Sequence, residues 1–155
     1  MTAISELKQL KFSDSLLKYP EIPESWIPRP RYSDKTANGL TRMLLDWIRL
    51  NGGQAERISP EGRILDQRRQ FTDSIGRVRV FGGVRRIPSS MQVGTADISA
   101  TVNGRSIKLE IKVGHDKQSA AQRRYQKQIE AAGGIYLIVR NFEDFVRFFN
   151  KFANG

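Results

Sequence analysis

The chain has 155 residues, 39% of them apolar, which suits one globular domain and is too polar for a membrane protein. It contains no cysteine, which excludes disulfides, cysteine-based zinc sites and cysteine nucleophiles. Its 26 lysines and arginines outnumber 16 acidic residues, and the net charge of +10 predicts attraction to nucleic acid, with a merely basic surface as the alternative. No apolar run approaches the roughly 18 residues that span a bilayer, and Met1–Glu6 shows no secretion signal, so we expect a cytoplasmic protein without membrane contact.

Residues 1–34 are predicted to form an N-terminal arm ahead of a domain over residues 35–155. Leucines in residues 5–18 indicate a short helix. Four prolines then fall between Pro20 and Pro30, and prolines at that density favour extended chain and forbid a helix. We expect the apolar residues Trp26 and Ile27 to pin this arm to the body of the protein.

The segment over residues 36–51 is predicted as the first firm helix, because its apolar residues recur at helical spacing. These residues are Leu40, Met43, Leu44, Trp47 and Ile48. The sequence Asn51-Gly52-Gly53 follows, and residues that tolerate a left-handed backbone commonly end helices. Residues 54–58 are predicted as a short first strand.

A basic insertion is predicted over residues 59–92, which are broken by glycines and prolines and are expected to be the least regular part of the chain. Residues 77–81 alternate basic and apolar side chains, as a half-exposed strand does. Seven arginines lie between Arg63 and Arg86, and arginine matches phosphate geometry better than lysine. The insertion is therefore predicted to be a DNA-facing flap, with a solvated loop as the alternative. The predicted contacts are Arg77, Arg79, Arg85 and Arg86.

A β-hairpin is predicted over residues 96–102 and 105–113. Asn103-Gly104 separates these two β-rich segments, and this dipeptide is the strongest short-range hairpin signal. A two-residue turn at that point pairs Val102 with Arg105. The turn therefore fixes the register of both strands.

The same register brings three charged residues together. Continued along the two strands, it places Asp97 directly opposite Glu110, with side chains about 5 Å apart on one face. Glu110 and Lys112 also share that face, because side chains alternate along a strand. Two opposed carboxylates repel unless a cation lies between them, and oxygen-rich sites of this kind select Mg²⁺ or Mn²⁺. The alternative is a surface network in which Lys112 neutralises both acids on an exposed sheet face.

The C-terminal third is predicted to contain a helix over residues 117–132, a buried central strand over residues 135–139 and a last helix capped by Asn141. Phenylalanines recur at helical spacing in the last helix, which indicates core, with a homodimer surface as the alternative. Basic residues of the 117–132 helix are predicted to contact the DNA backbone, with a solvated helix face as the alternative. They are Arg123, Arg124 and Lys127.

Together, Gly94-x-x-Asp97, Glu110-x-Lys112 and the following helix with Gln122 resemble the PD-(D/E)xK nuclease superfamily. The stretch from Ser119 to Gln122, the helix after it and the strand ending at Arg140 are similar to the VRR-NUC branch and Holliday-junction-resolvase-like nucleases. The match covers roughly residues 94–140. It implies an α/β fold with a restriction-endonuclease-like core, in which helices flank a central mixed β-sheet.

The resemblance also implies a role for each matching residue. Asp97 and Glu110 would hold the metal, together with the backbone carbonyl of Ile111. Lys112 would orient a water or offset the developing negative charge. Gln122 would reach the scissile phosphate or a water near the metal, and its alternative is a plain glutamine on a helix surface.

Two departures from the family pattern concern the proline and the first helix. Ala96 stands where the family name has proline. Many members carry a glutamate on the first helix, and this chain has none between residues 36 and 51. Asp46 is a doubtful substitute, whereas Asn38 and Thr41 are one turn apart and could face the site. One metal ion is therefore as consistent with the sequence as two.

The sequence as a whole predicts a Mg²⁺- or Mn²⁺-dependent endonuclease that cuts DNA structure-selectively or nonspecifically. Contacts to the phosphate backbone carry no sequence information, which is why sequence-specific cutting is not expected. Three alternatives stay open. They are a DNA-binding protein with an inactive nuclease fold, an RNA-directed nuclease, and a structural phage or mobile-element protein that its charge tethers to DNA.

Overall fold

The computed structural model describes residues 2–58, 63–87 and 89–153, and the side chain of Arg63 lies outside this description. The chain divides into two compact units, Met1–Ile58 with Gly94–Gly155, and Ser59–Val93. The second unit corresponds closely to the insertion predicted over residues 59–92. Of that insertion, residues 59–62 and 88, with the predicted breaks at Pro60 and Pro88, lie outside the described residues. The predicted arm, residues 1–34, belongs to the first unit.

The elements follow the predicted order, with small shifts at their ends and extra strands in the insertion. The helices are α1 (Ala3–Lys18), α2 (Ala37–Leu50), α3 (Ala120–Ala131) and α4 (Phe142–Ala153), and a 3-10 turn lies at Glu24–Trp26. The strands are β1 (Gln54–Arg57), β2 (Arg63–Asp66), β3 (Arg69–Thr72), β4 (Val78–Phe81), β5 (Val84–Ile87), β6 (Ile98–Val102), β7 (Arg105–Ile111) and β8 (Ile135–Val139). Among the described residues, no helix is both long enough and apolar enough to cross a membrane.

The first unit is built on a mixed sheet with the strand order β1–β6–β7–β8. Strands β7 and β8 are parallel, and the other neighbours are antiparallel. One face of the sheet packs with α2 and α4 in the main core, which includes Trp47, Leu109 and Phe142. The other face carries a smaller cluster with Tyr125 of α3 and Tyr136 of β8. This architecture confirms the predicted α/β fold with helices on a mixed sheet, and it is consistent with a restriction-endonuclease-like core.

The β6–β7 hairpin has the predicted turn and register. Asn103 and Gly104 have φ angles of 49° and 74°, so both adopt the left-handed backbone of a type I′ turn. Val102 pairs with Arg105, and the ladder continues to the pair of Ile98 with Leu109. Both strands are shorter than predicted, since β6 begins at Ile98 and β7 ends at Ile111.

The predicted arm is partly anchored. Helix α1 buries Leu7 completely and packs against α2 and α4. Ile27 is buried, as predicted, but the expectation that Trp26 also pins the arm was wrong. Its side chain is 77% exposed, because the 3-10 turn that ends at Trp26 directs it to solvent.

The α4 phenylalanines contribute to the core, as predicted. Phe142, Phe145 and Phe149 are buried, and Trp47 meets the rings of Phe142 and Phe149 edge-on. Asn141 caps the helix, because its side-chain oxygen accepts a hydrogen bond from the Asp144 N–H at 2.9 Å.

The second unit is more regular than predicted, because it forms a two-stranded ribbon. Strand β2 pairs with β5 and β3 pairs with β4, both antiparallel. Arg63 faces Ile87 and Arg69 faces Phe81, so the register is the same on both sides of the short interruption. The Gln67 N–H donates to the Gly83 carbonyl across that interruption. We refer to β2–β5 as the ribbon.

Candidate active site

The site is centred on Glu110 of β7, whose carboxylate is buried and contacted by three donors. Glu110 is 1% exposed and Lys112 is 6% exposed, and Lys112 Nζ lies 3.0 Å from Glu110 Oε1. Gln122 Nε2 donates to the same oxygen, and the Tyr136 hydroxyl donates to Oε2 at 3.3 Å. The alternative of an exposed surface network is therefore wrong, because the face that carries Glu110 and Lys112 is covered. We call Asp97, Glu110, Lys112, Gln122 and Tyr136 the Glu110 cluster.

Asp97 joins the cluster through the backbone of β7. It directly precedes β6, and its Oδ2 accepts a hydrogen bond from the Ile111 N–H at 2.8 Å. The ladder thus stops one residue before the predicted pairing of Asp97 with Glu110. Because the N–H and carbonyl of one strand residue project to the same side, the Ile111 carbonyl also points towards the side of Asp97. The predicted metal ligands therefore lie at one end of the sheet.

Gln122 is held in place by the start of α3. Ser119 caps the helix, and its hydroxyl accepts from the Gln122 N–H at 3.2 Å. In return, Gln122 Oε1 accepts from the Ser119 N–H at 2.9 Å, which completes a capping box. Only the amide Nε2 is left, and it donates to Glu110. Gln122 is therefore not a plain surface glutamine, since it orients the Glu110 carboxylate.

Gly94 allows the chain before Asp97 to approach α3 closely. Its φ angle is +88°, and a Cβ atom there would lie 2.5 Å from the Ala121 carbonyl carbon and 2.7 Å from the Gln122 nitrogen. A side chain at this position would combine backbone strain with a clash against the first turn of α3. The glycine of the Gly94-x-x-Asp97 motif thus has a packing reason in this fold.

We expect Gly94→Ala to lower the free energy of unfolding by about 2 kcal/mol or more, because strain at positive φ and the clash add together. Urea denaturation at neutral pH would measure this. The matched control is Gly133→Ala, since Gly133 has a φ of +81° but open space where its Cβ would lie. If both variants lose the same stability, the close approach to α3 has no energetic role.

Burial and charge shift the protonation of the cluster. Burial raises the pKa of the Glu110 carboxyl, Lys112 opposes this, and the charge of Asp97 adds to it. Burial alone would lower the pKa of Lys112, but its contacts with Glu110 and Asp116 raise it above the usual range. Burial also raises the pKa of Tyr136. At neutral pH, Lys112 is therefore a cation and Tyr136 a hydrogen-bond donor.

The donor atoms of the cluster suit a hard divalent cation that keeps much of its water. Among the described residues, no group of three or more acidic or histidine side chains could hold a metal ion together. An ion here would depend on Asp97, Glu110, the Ile111 carbonyl, water and substrate phosphate. Mg²⁺ binds in this manner, through one or two carboxylates and several waters. The residues present therefore fit the predicted cofactor.

The residues predicted on the first helix lie towards the same end of the sheet. Asn38 accepts a hydrogen bond from Arg57 at 3.0 Å, and Arg57 is the last residue of β1. Ile58, the next residue, donates its N–H to the Asp97 carbonyl. Thr41 is buried and its hydroxyl donates to the backbone of its own helix. No described hydrogen bond joins Asn38 or Thr41 to the side chains of the Glu110 cluster, so their role stays a prediction.

The basic residues predicted to contact DNA are exposed. On α3, Arg124 and Lys127 are exposed, and Arg123 donates to the Gln118 carbonyl at 2.8 Å. On the ribbon, Arg79 pairs with Asp73 at 2.8 Å. The other predicted ribbon contacts, Arg77, Arg85 and Arg86, are also exposed.

Two residues near Glu110 and Lys112 were not predicted from the sequence. Tyr136 pairs with Lys108 in the parallel β7–β8 ladder, which places it on the face of Glu110. Asp116 Oδ2 lies 3.3 Å from Lys112 Nζ, four residues farther along the chain. The capping box at Ser119, by contrast, could be predicted from the sequence, because Ser-x-x-Gln is a pattern typical of the start of a helix.

Comparison of the sequence with models of known protein families finds no match, and comparison with curated proteins finds none either. The resemblance to PD-(D/E)xK nucleases therefore depends on the motif residues alone. A functional assignment depends on the geometry and chemistry of the Glu110 cluster.

Proposed function

We propose that this protein is a Mg²⁺- or Mn²⁺-dependent deoxyribonuclease. The observation that carries the proposal is the buried ion pair of Glu110 and Lys112 beside Asp97 and the Ile111 carbonyl. Burying charged groups costs free energy, and replacing a buried ion pair by apolar residues is often neutral or stabilising. Burial, a like charge and a fixed partner acting on one carboxyl are typical of functional sites. Two acids and a lysine are also the set that the resemblance to PD-(D/E)xK nucleases implies for phosphodiester hydrolysis.

Each residue of the cluster has a role that follows from its contacts. Bound Mg²⁺ would supply an activated water and would offset negative charge on the phosphate. Gln122 and Tyr136 hold Glu110 from two directions, so its carboxylate is oriented before substrate arrives. Lys112 is protonated at neutral pH, which favours stabilising developing negative charge over accepting a proton. The substrate phosphate would therefore meet one fixed cation of the protein itself.

The basic residues on α3 and the ribbon support DNA as the substrate. In the ribbon, Arg69 faces Phe81 and Phe71 faces Arg79 across the strands. Cross-strand partners share a face, so arginine and phenylalanine side chains lie together on one side. Arginine contacts to phosphate position DNA without reading its sequence. We therefore propose that the protein cuts DNA structure-selectively or nonspecifically. We also propose that it acts inside the cell.

A substrate panel tests the proposal directly. The purified protein should cleave labelled DNA in Mg²⁺ or Mn²⁺ and should lose this cleavage in EDTA. The panel would contain duplex, single-stranded, flap and four-way-junction DNA, with RNA of the same sequence. Cleavage of RNA alone would establish an RNA-directed nuclease instead. If no nucleic acid is cleaved although DNA binds, the fold is an inactive binding module or a tethered structural protein and the proposal is overturned.

A further inference from the structure

A cleft of about 820 Å³ lies between α1 and the proline-rich segment that follows it. Four cationic residues line this cleft, and none of its lining residues is acidic. The cations are Lys11, Arg29, Arg31 and Arg42. Lys11 and Arg29 pair with nearby carboxylates, whereas no described ion pair involves Arg31 or Arg42. Cations of this kind in a concave surface attract an anionic ligand, because a cleft focuses the field of its charges.

Exposed aromatic side chains line the same cleft. Trp26 is 77% exposed and Tyr19 is 46% exposed, whereas their neighbour Ile27 is buried and fixes the local backbone. Most of the Trp26 side chain is thus free to contact a ligand beside the arginines of the cleft. A cation-rich surface with exposed aromatic rings is how proteins bind single-stranded nucleic acid, since bases stack on the rings.

A second cleft of about 310 Å³ shares Lys11 and Arg42 with the first. It runs along α2 and is also lined by Arg49 and Arg57. Asp46 is the acid in its lining, and it already contacts Lys11 at 3.5 Å and the Tyr32 hydroxyl at 2.6 Å.

Because they share Lys11 and Arg42, the two clefts adjoin each other, and we call them together the basic groove, whose lining includes Trp26 and Arg57. Arg31 in the first cleft and Arg42, which lines both clefts, form no ion pair among the described residues. Arg57 ends β1, directly before the residue whose N–H donates to the Asp97 backbone. The groove thus leads towards the end of the sheet that carries Asp97.

We propose that this groove binds single-stranded DNA. Bases would stack on Trp26 and Tyr19, and phosphates would contact Arg31 and Arg42. Duplex DNA fits less well, because its bases are already stacked on one another and cannot reach the rings. The choice of DNA over another polyanion rests on the proposed nuclease function. The groove would then hold an unpaired strand of a branched substrate while the duplex part is cut.

Tryptophan fluorescence gives a direct test, because the chain has two tryptophans and Trp47 is 1% exposed. Titration with oligo-dT in EDTA should quench the exposed Trp26. Fluorescence anisotropy of labelled oligo-dT should show Trp26→Ala weakening binding about fivefold or more, as loss of one stacked base would. Trp26→Phe should retain most of the affinity, and Arg31→Ala should lose about fivefold. The charge-matched control is Arg147→Ala on α4, an exposed arginine outside the groove, which should change binding little.

Two outcomes would overturn the inference. One is unquenched Trp26 together with equal oligo-dT affinities for Trp26→Ala, Arg31→Ala and the Arg147→Ala control. The other is a poly-glutamate peptide that displaces oligo-dT at similar concentration, which would indicate an acidic protein as the ligand. Cleavage of the duplex, single-stranded, flap and junction DNA of the substrate panel, measured separately, distinguishes the two proposals. Cleavage without quenching retains the nuclease and refutes the groove, and quenching without cleavage does the reverse.

Discussion

Glu110→Gln and Asp97→Asn should each lower Mg²⁺-dependent DNA cleavage by about a hundredfold or more. Both substitutions keep the shape of the side chain but remove the negative charge that would attract the cation. Glutamine at 110 keeps one oxygen that accepts hydrogen bonds, and Lys112 keeps Asp116 as an ion partner at 3.3 Å, so the variant should lose some stability but still fold. Single-turnover cleavage of the best DNA from the substrate panel would measure the rates, and circular dichroism would establish that the fold survives.

The matched control for Glu110→Gln is Glu130→Gln on α3. Glu130 is exposed, its carboxylate accepts a hydrogen bond from Gln126, and it is not a member of the Glu110 cluster. It changes net charge by the same amount, so it accounts for any general effect on DNA binding. Cleavage by Glu110→Gln at the rate of this control would contradict the assignment of Glu110 as a metal ligand.

Metal binding should also depend on pH in a defined direction. Burial raises the pKa of the Glu110 carboxyl, and a ligand must lose its proton before it can bind a cation. Mn²⁺ affinity should therefore fall as the pH is lowered towards about 5. Calorimetry of Mn²⁺ binding without DNA would measure this, and Asp97→Asn should weaken binding across the whole range. Affinity that is constant with pH would contradict a role for Glu110 in holding the ion.

The register of the β6–β7 hairpin could be predicted because its determinants are local. Asn103-Gly104 selects a tight turn, and a two-residue turn fixes every pair along the ladder. The prediction failed only at the end, where Asp97 leaves the ladder and bonds Ile111 instead. The contacts of Tyr136 could not be predicted in this way. They depend on the parallel pairing of β8 with β7, which a helical crossover sets and no local turn chemistry reveals.

The alternation at residues 77–81 predicted β4, but the pairing of the ribbon and its other strands could not be predicted, because neither face of the ribbon is buried. Alternation of apolar and polar residues arises when one face of a strand is covered and the other is wet. Phe71, Val78 and Phe81 are all more than half exposed, so the alternation that marks a half-buried strand is weak over most of this segment. The exposed Trp26 was missed for a related reason, since a tryptophan among prolines resembles an anchor unless its surroundings are known. In both places the deviation from expectation lies at a surface proposed to bind DNA.

Lys112→Met should destabilise the metal-free protein by about 3 kcal/mol and should abolish cleavage. The substitution keeps the length of the side chain but leaves the Glu110 carboxylate buried without its cation. Removing one partner of a buried pair costs more than removing both, so Glu110→Gln added to Lys112→Met should recover much of the stability. Urea denaturation in EDTA of the two single variants and the double variant would measure the coupling.

The matched control is Lys108→Met, because Lys108 lies on the same face of β7, donates to Ser99 and forms no ion pair with a carboxylate in the part of the chain that the structure describes. The pH dependence of the free energy of unfolding distinguishes the loss of the Lys112 charge from the loss of its packing contacts. Without Lys112, the pKa of Glu110 rises further above its unfolded value, so the folded state binds the proton preferentially. The contribution of Glu110 to the stability of Lys112→Met is therefore fully present at low pH and is lost as the pH rises through the folded pKa. The deficit of this variant relative to the unmutated protein should shrink as pH falls from 7 towards about 5. A stability deficit that stays constant with pH would show that Lys112 contributes packing and not charge. A double variant as unstable as Lys112→Met would show the same, because removing the charge of Glu110 would then have recovered no stability.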